Sequence, residues 1–150
     1  MTTQTKPSIP TLPCFCSTLR RSSRAVTQLY EQSLRPLGLR ATQFTILQAL
    51  SRIREASQGQ LGEILAIDST TLTRTLEIMH RHGWIASRPG KDRRERWLRL
   101  TKPGEARLTR ALPAWEKVQA RVRHRLGEKD WQLFQSLANA VTNLTQGDEL

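Results

Sequence analysis

The chain is poor in the residues that build most catalytic and metal centres. Among its 150 residues it has two cysteines, three histidines and one tyrosine. Two cysteines cannot make a disulfide framework, which points to a reducing, cytoplasmic compartment. Cys14, Cys16, His80 and His82 have ligand chemistry, but a spacing of two puts the histidines on different faces of a helix, so no metal is expected. No nucleophile–base pattern, phosphate-cradling glycine loop or carboxylate pair stands out, so neither an enzyme nor a cofactor is expected. No apolar run is long enough to span a membrane. Residues 1–13 are rich in Thr and Pro and lack the apolar stretch of a secretory signal, so they read as a disordered arm. Acidic residues are scarce as well: 13 stand against 24 Lys and Arg, a net charge of +11. A field of that sign attracts polyanions, nucleic acid first among them. A basic surface that binds nothing is the plain alternative.

What is present is a series of amphipathic segments. Hydrophobic residues make up 37% of the chain, a thin core of the kind a partner subunit often completes. From residue 16 to 37, Leu19, Val26, Leu29, Tyr30, Leu34 and Leu37 recur at helical spacing, and Pro36 and Gly38 punctuate the end. Thr42 is placed to cap a second helix bearing Phe44, Ile46, Leu47 and Leu50, and residues 55–58 form a polar break. Two short helices follow. One covers 59–66 with Leu61, Ile64 and Leu65; the other runs from Asp68 or Ser69 to about His82 with Leu72, Leu76 and Met79 as its apolar stripe. Gly83 ends the second. Residues 84–88 read as a strand, 89–95 as a tip and 96–100 as the returning strand. Thr101 caps a long helix with Leu108, Ala111 or Leu112, Trp115, Val118, Val122 and Leu126 on one side, in which Pro113 predicts a kink. After Gly127 a last helix reaches about Thr145, bearing Trp131, Phe134, Leu137, Val141 and Leu144.

This order predicts a mainly α fold with a small β-hairpin wing, a winged helix-turn-helix. The second short helix would enter a major groove and present Ser69, Thr70, Thr71, Thr73 and Arg74. Gln58, before the first short helix, joins them. Hydroxyls suit phosphates and thymine methyls, and Arg74 can fork onto a guanine edge. The hairpin adds Arg88, Lys91, Arg93, Arg94 and Arg96; between residues 88 and 99 six basic residues stand against two acidic ones. A ribbon with an arginine tip can lie along a backbone and reach a minor groove, with Asp92 as the brace of its neighbours. A solvated charged face is the alternative reading of both elements.

The stretch Asp68-Ser69-Thr70-Thr71-Leu72-Thr73-Arg74, then Gly83-Trp84-Ile85, Asp92-Arg93-Arg94 and Leu100-Thr101-Lys102-Pro103-Gly104 resembles the MarR family of bacterial transcriptional regulators. The resemblance spans about residues 16–145. It implies a triangular homodimer that binds a pseudo-palindromic duplex operator, commonly a repressor released by a small aromatic or anionic ligand or by cysteine oxidation. Residues 14–150 would then be one domain, with 14–40 and 103–146 as dimerisation helices and 42–100 as the DNA-binding lobe. The apolar stripes of the terminal helices, more than a short chain easily covers, agree with a dimer; an intrachain core is the alternative. Cys16 falls where the organic-hydroperoxide-sensing branch of the family has its reactive cysteine, and Tyr30 matches a tyrosine placed near that thiol. Arg20 stands where a second tyrosine is expected. A thiol at a helix start near Arg20 and Arg21 would be acidified, and oxidation is expected to cap it or to cross-link subunits, because cysteines separated by one residue rarely bridge each other; inert thiols are the alternative. A ligand pocket lined by Trp84, Trp97 and Trp115, with Arg20, Arg24 or Arg40 facing a carboxylate, is a second candidate sensor. The alternative is that the tryptophans are core. A non-specific architectural DNA-binding protein would use the same hairpin without a preferred site.

Overall fold

The computed structural model describes residues 13–92 and 95–144. Helix α1 spans Phe15–Leu34 and passes into a 3-10 turn, Arg35–Leu37, where Pro36 fixes the backbone and Gly38 takes a left-handed φ of +69°. That turn replaces the last turn of the expected helix. Helix α2 is Ala41–Ile53. It starts one residue before the Thr42 cap expected, because its first N–H groups find other acceptors. Glu31 of α1 takes the Ala41 N–H at 2.9 Å, and Gln43 reaches back to the Arg40 N–H at 2.9 Å.

The polar break at 55–58 is a strand, β1, Glu55–Ser57. Three residues are too few for alternation to be visible, yet Ala56 is buried and pairs with Leu98. Helix α3, Gln58–Leu65, opens on a reciprocal cap: the Ser57 hydroxyl accepts the Gln60 N–H, and the Gln60 amide accepts the Ser57 N–H. Helix α4, Ser69–Arg81, follows a tight turn in which Ala66 is left-handed, with φ +50°. Leu72, Leu76 and Met79 are its buried stripe, as the spacing predicts. At its end the Gly83 N–H bonds the His80 carbonyl and the Trp84 N–H bonds the Met79 carbonyl, a closure that needs the positive φ of Gly83. The Trp84 backbone is thereby held at the helix end, so strand β2 begins one residue later, at Ile85–Pro89.

Strand β3, Arg96–Leu100, lies between β1 and β2 in an antiparallel sheet of order β1-β3-β2, with Ile85 opposite Leu100 and Pro89 opposite Arg96. Thr101 then caps α5, Lys102–Leu126, accepting the Gly104 N–H at 3.1 Å. Its hydroxyl also donates to the Gly83 carbonyl at 2.5 Å, and its N–H bonds the Trp84 carbonyl. The neck of the hairpin is closed by these two bonds. Helix α5 continues through Pro113, and Ser33 of α1 donates to the Ala114 carbonyl beside it. Helix α6 is Glu128–Asn143.

One core joins the α1–α2 junction, α2, the sheet, α3, α4 and the first half of α5. Leu34, Leu39, Ile46, Leu47, Leu50, Leu61, Leu72, Met79 and Leu98 are its fully enclosed side chains. Burial at this level is what makes the lobe rigid; each such leucine truncated to alanine costs about 2–5 kcal/mol. The two ends of the chain behave differently. No residue of α6 is buried, and Phe15, Leu19, Val26, Leu126, Leu133, Phe134 and Leu137 are exposed. Among the described residues no helix is long and apolar enough to cross a membrane.

Candidate nucleic-acid interface

The N-terminal half of α4 is presented to solvent. Ser69, Thr70, Thr71, Thr73 and Arg74 are all exposed, while Leu72 between them anchors the helix. Asp68 caps the helix by accepting the Thr71 N–H at 2.9 Å. The Thr71 hydroxyl and N–H beside it hold the Asp68 carboxyl below its ordinary value. Gln58, from the start of α3, donates its side-chain amide to the Thr73 hydroxyl at 2.9 Å and so links the two short helices. The dipole of α4 adds positive potential beside these hydroxyls, offset in part by the Asp68 carboxylate that caps the helix.

The wing is built on β2 and β3. Lys91 and Arg96 are exposed on it. The Gly90 N–H bonds the Glu95 carbonyl at 2.8 Å, and the Glu95 N–H bonds the Asp92 carbonyl at 2.9 Å. Arg93 and Arg94, the expected groove-entering tip, lie outside the described residues, and so does the brace expected between them and Asp92. Arg96 stands with Gln58, Gly62, Asp68 and Ser69 around an open cleft of about 700 Å³ between the wing and the α3–α4 turn.

Arg88 has a partner within the chain. Expected as a DNA contact, its side chain is held by Glu55 of β1, with Nε donating to Oε1 and Nη2 to Oε2, each at 2.7 Å. Its guanidinium lies 5.5 Å from the centre of the Trp97 ring. The Arg88 hydrogen bonds lower the Glu55 carboxyl and raise the Arg88 guanidinium. Sequence reasoning missed Glu55 altogether, since 33 positions separate it from its partner.

The three tryptophans expected to line a pocket each have their own ring contacts. Trp84 is buried, stacks on His82 at 4.5 Å and lies under the guanidinium of Arg107, 5.1 Å away. Arg107 also donates to the Leu37 carbonyl. Trp97 belongs to the wing, and Trp115 stacks on Phe44 at 5.9 Å against the core. The three rings therefore have three separate sets of partners. Arg20 and Arg24 are exposed on α1, and Arg40 pairs with Glu31 at 3.3 Å. The arginine at the Trp84 face is Arg107, whose position in α5 gave no signal.

Cys14 and Cys16 are free and exposed at the start of α1. The N–H and hydroxyl of Ser17 lower the Cys14 thiol from its ordinary value. Tyr30 packs against the core, and burial raises its hydroxyl. Cys16 and Tyr30 are both in α1, about 21 Å apart along its axis, so they do not meet within one protomer. Among the described residues no group of three or more His, Cys, Asp and Glu side chains converges to hold a metal.

The fold and this face have clear relatives. The family model "MarR family" matches residues 39–95, the stretch from α2 through the wing. An HTH-type transcriptional regulator of Bacillus subtilis, YwoH, is 31% identical over 87 residues, covering 58% of this chain and 64% of that protein, so the match spans a little less than two thirds of the relative. The transcriptional regulator MosR of M. tuberculosis, solved in complex with DNA, is 35% identical with a TM-score of 0.80, over 91% of this chain and 99% of that one. A mutant MarR from E. coli complexed with operator DNA shares the fold, with a TM-score of 0.75 at 21% identity over 84% of this chain and 91% of that one. The match of the whole architecture to MosR, together with the family model over the lobe, establishes that the chain belongs to the MarR family.

Proposed function

We propose that the chain is a transcriptional repressor that binds a pseudo-palindromic duplex operator as a homodimer. The observation that carries this is the exposed N-terminal half of α4, with Gln58 tied to Thr73, set beside a basic wing. Side chains there sit on a rigid helix, so they can read base edges, while Lys91 and Arg96 serve the backbone. MosR and MarR, each solved with DNA, support the reading. The second copy covers the exposed faces of α1 and α6.

Release follows, in this proposal, from oxidation at Cys14 and Cys16. Both thiols are exposed, and Ser17 favours the Cys14 thiolate, the nucleophile that attacks a peroxide oxygen to give a sulfenic acid as the alcohol or water departs. A small aromatic or anionic effector has less support, because Trp84, Trp97 and Trp115 do not share one set of partners.

The test is capture of genomic fragments followed by footprinting. A reproducible protected palindrome is expected. Arg74→Ala weakens binding to it roughly tenfold or more while the dimer persists. Protection without a preferred site would instead make this a non-specific architectural protein. In the same assay peroxide releases the wild type, and a Cys14→Ser, Cys16→Ser double variant stays bound. Equal release of both removes the thiols from the mechanism.

A further inference from the structure

Arg88 and Glu55 are not neighbours in the sheet. Arg88 of β2 lies opposite Trp97 of β3, and Trp97 lies opposite Ser57 of β1; Glu55 lies opposite Arg99. Residues two apart on a strand share a face, so Glu55, Trp97 and Arg88 are all on one side of the sheet. Two strand spacings, roughly 10 Å, separate β1 from β2. The Arg88 side chain crosses that gap over the indole of Trp97 and ends in a two-pronged pair with Glu55, both contacts at 2.7 Å. Such a fork fixes direction as well as distance.

What it ties together is specific. β1 is only three residues long and runs straight into the Ser57 cap of α3. Just before it, Arg54 is held at φ +66°, a conformation that a side chain rarely adopts and that sets the approach of the strand. The core side of the sheet is anchored by Ile85, Ala56 and Leu98, but β2 is exposed from Ser87 outward. A two-stranded ribbon has little rigidity of its own. Beside the backbone ladder through β3, the Glu55–Arg88 fork ties the outer part of β2 by side chains directly to the strand leading into the helix-turn-helix.

We propose that Glu55, Trp97 and Arg88 form a strut that sets the angle of the wing against α3 and α4, with Arg88 a positioning residue rather than a phosphate contact. This rests on the DNA-binding reading above. It makes a prediction opposite in sign to simple charge counting. Removing a carboxylate from a basic protein ordinarily strengthens binding to DNA. Glu55→Gln is instead expected to weaken operator binding roughly tenfold, because the fork is lost. Arg88→Lys keeps the charge and should weaken it to a similar degree, since an ammonium cannot fork. Neither variant should change the slope of log affinity against log salt, as no phosphate contact is lost. In the free protein both should speed hydrogen exchange of the amides of residues 86–88 and 96–99 while the exchange of α2 stays as in wild type.

The outcomes separate the two ideas. Wild type that protects no site overturns the DNA-binding reading, and the strut's role with it. Wild type that protects a site, with Glu55→Gln binding equally or more tightly, overturns the strut alone. An Arg88→Lys variant that binds normally while Arg88→Gln loses about one unit of salt slope makes Arg88 a phosphate contact and overturns it too. Unchanged exchange in the wing does the same without reference to DNA.

Discussion

Single residues show how differently a charge can be used. Asp68, Glu55 and Glu31 are all carboxylates, and each is spent on holding geometry: a helix cap, a partner for Arg88 and a bond to the first N–H of α2. Asp68 was legible as a cap, because a short acceptor before a helical stripe is a local signal. Glu55 and Glu31 were not, since each acts on a partner from another element. The same holds for Arg88, which counts as one more positive charge in a basic run until its partner is known. The pKa of Asp68 is depressed in the folded chain by Thr71, so its contribution is fully present above the ordinary carboxylate value and is lost as pH falls through the folded value. Asp68→Asn, which keeps the acceptor, should therefore flatten the decline in melting temperature between pH 5 and pH 3. Asp68→Ala should lower the melting temperature at neutral pH. Thermal melts of the three proteins across that range check both.

At the scale of elements, junctions rather than interiors decide the fold. The stripes of α2, α4 and α5 and the pairing of β2 with β3 followed from periodicity. Strand β1 did not, because three residues beside a bend carry no period. The Leu100-Thr101-Lys102-Pro103-Gly104 motif was legible as a signature, but its reason is spatial. A Cβ on Gly104 would stand 2.0 Å from the Trp84 carbonyl oxygen. That carbonyl already accepts the Thr101 N–H, so it cannot move aside without opening the neck of the hairpin. Gly104→Ala should therefore cost about 1–3 kcal/mol by overpacking, although alanine is the better helix former. Urea denaturation measures it; a variant as stable as wild type would mean that α5 is free to slide on β2.

At the scale of the molecule, charge and exposed apolar surface ask for different partners. The net charge of +11 was legible at once, and its destination was not, since the sequence does not say which arginines are paired. The exposed apolar residues of α1 and α6 were legible as stripes, and only the structure distinguishes them from core. Phe134 is 50% exposed and Leu137 56% exposed, on a helix with no buried residue. Leu137→Asp is expected to give monomers at micromolar concentration in sedimentation equilibrium, with the lobe still folded. Such a monomer should bind a half-site weakly and lose protection of the full palindrome. A variant that remains dimeric would place the interface elsewhere.

The neck formed by Thr101 with Gly83 and Trp84 makes the hairpin a nearly closed ring, with its two ends fixed to the same spot on the body. A ring tied at its base and paired with β1 as far as Trp97 passes little of what happens beyond that point to the rest of the chain. Lengthening the tip to twice its size would add only about 0.6 kcal/mol of closure cost. The tip is thus an exchangeable cassette: related chains can vary its length and chemistry, and an engineer can graft another, while the strut and the helix-turn-helix beneath it keep their shape.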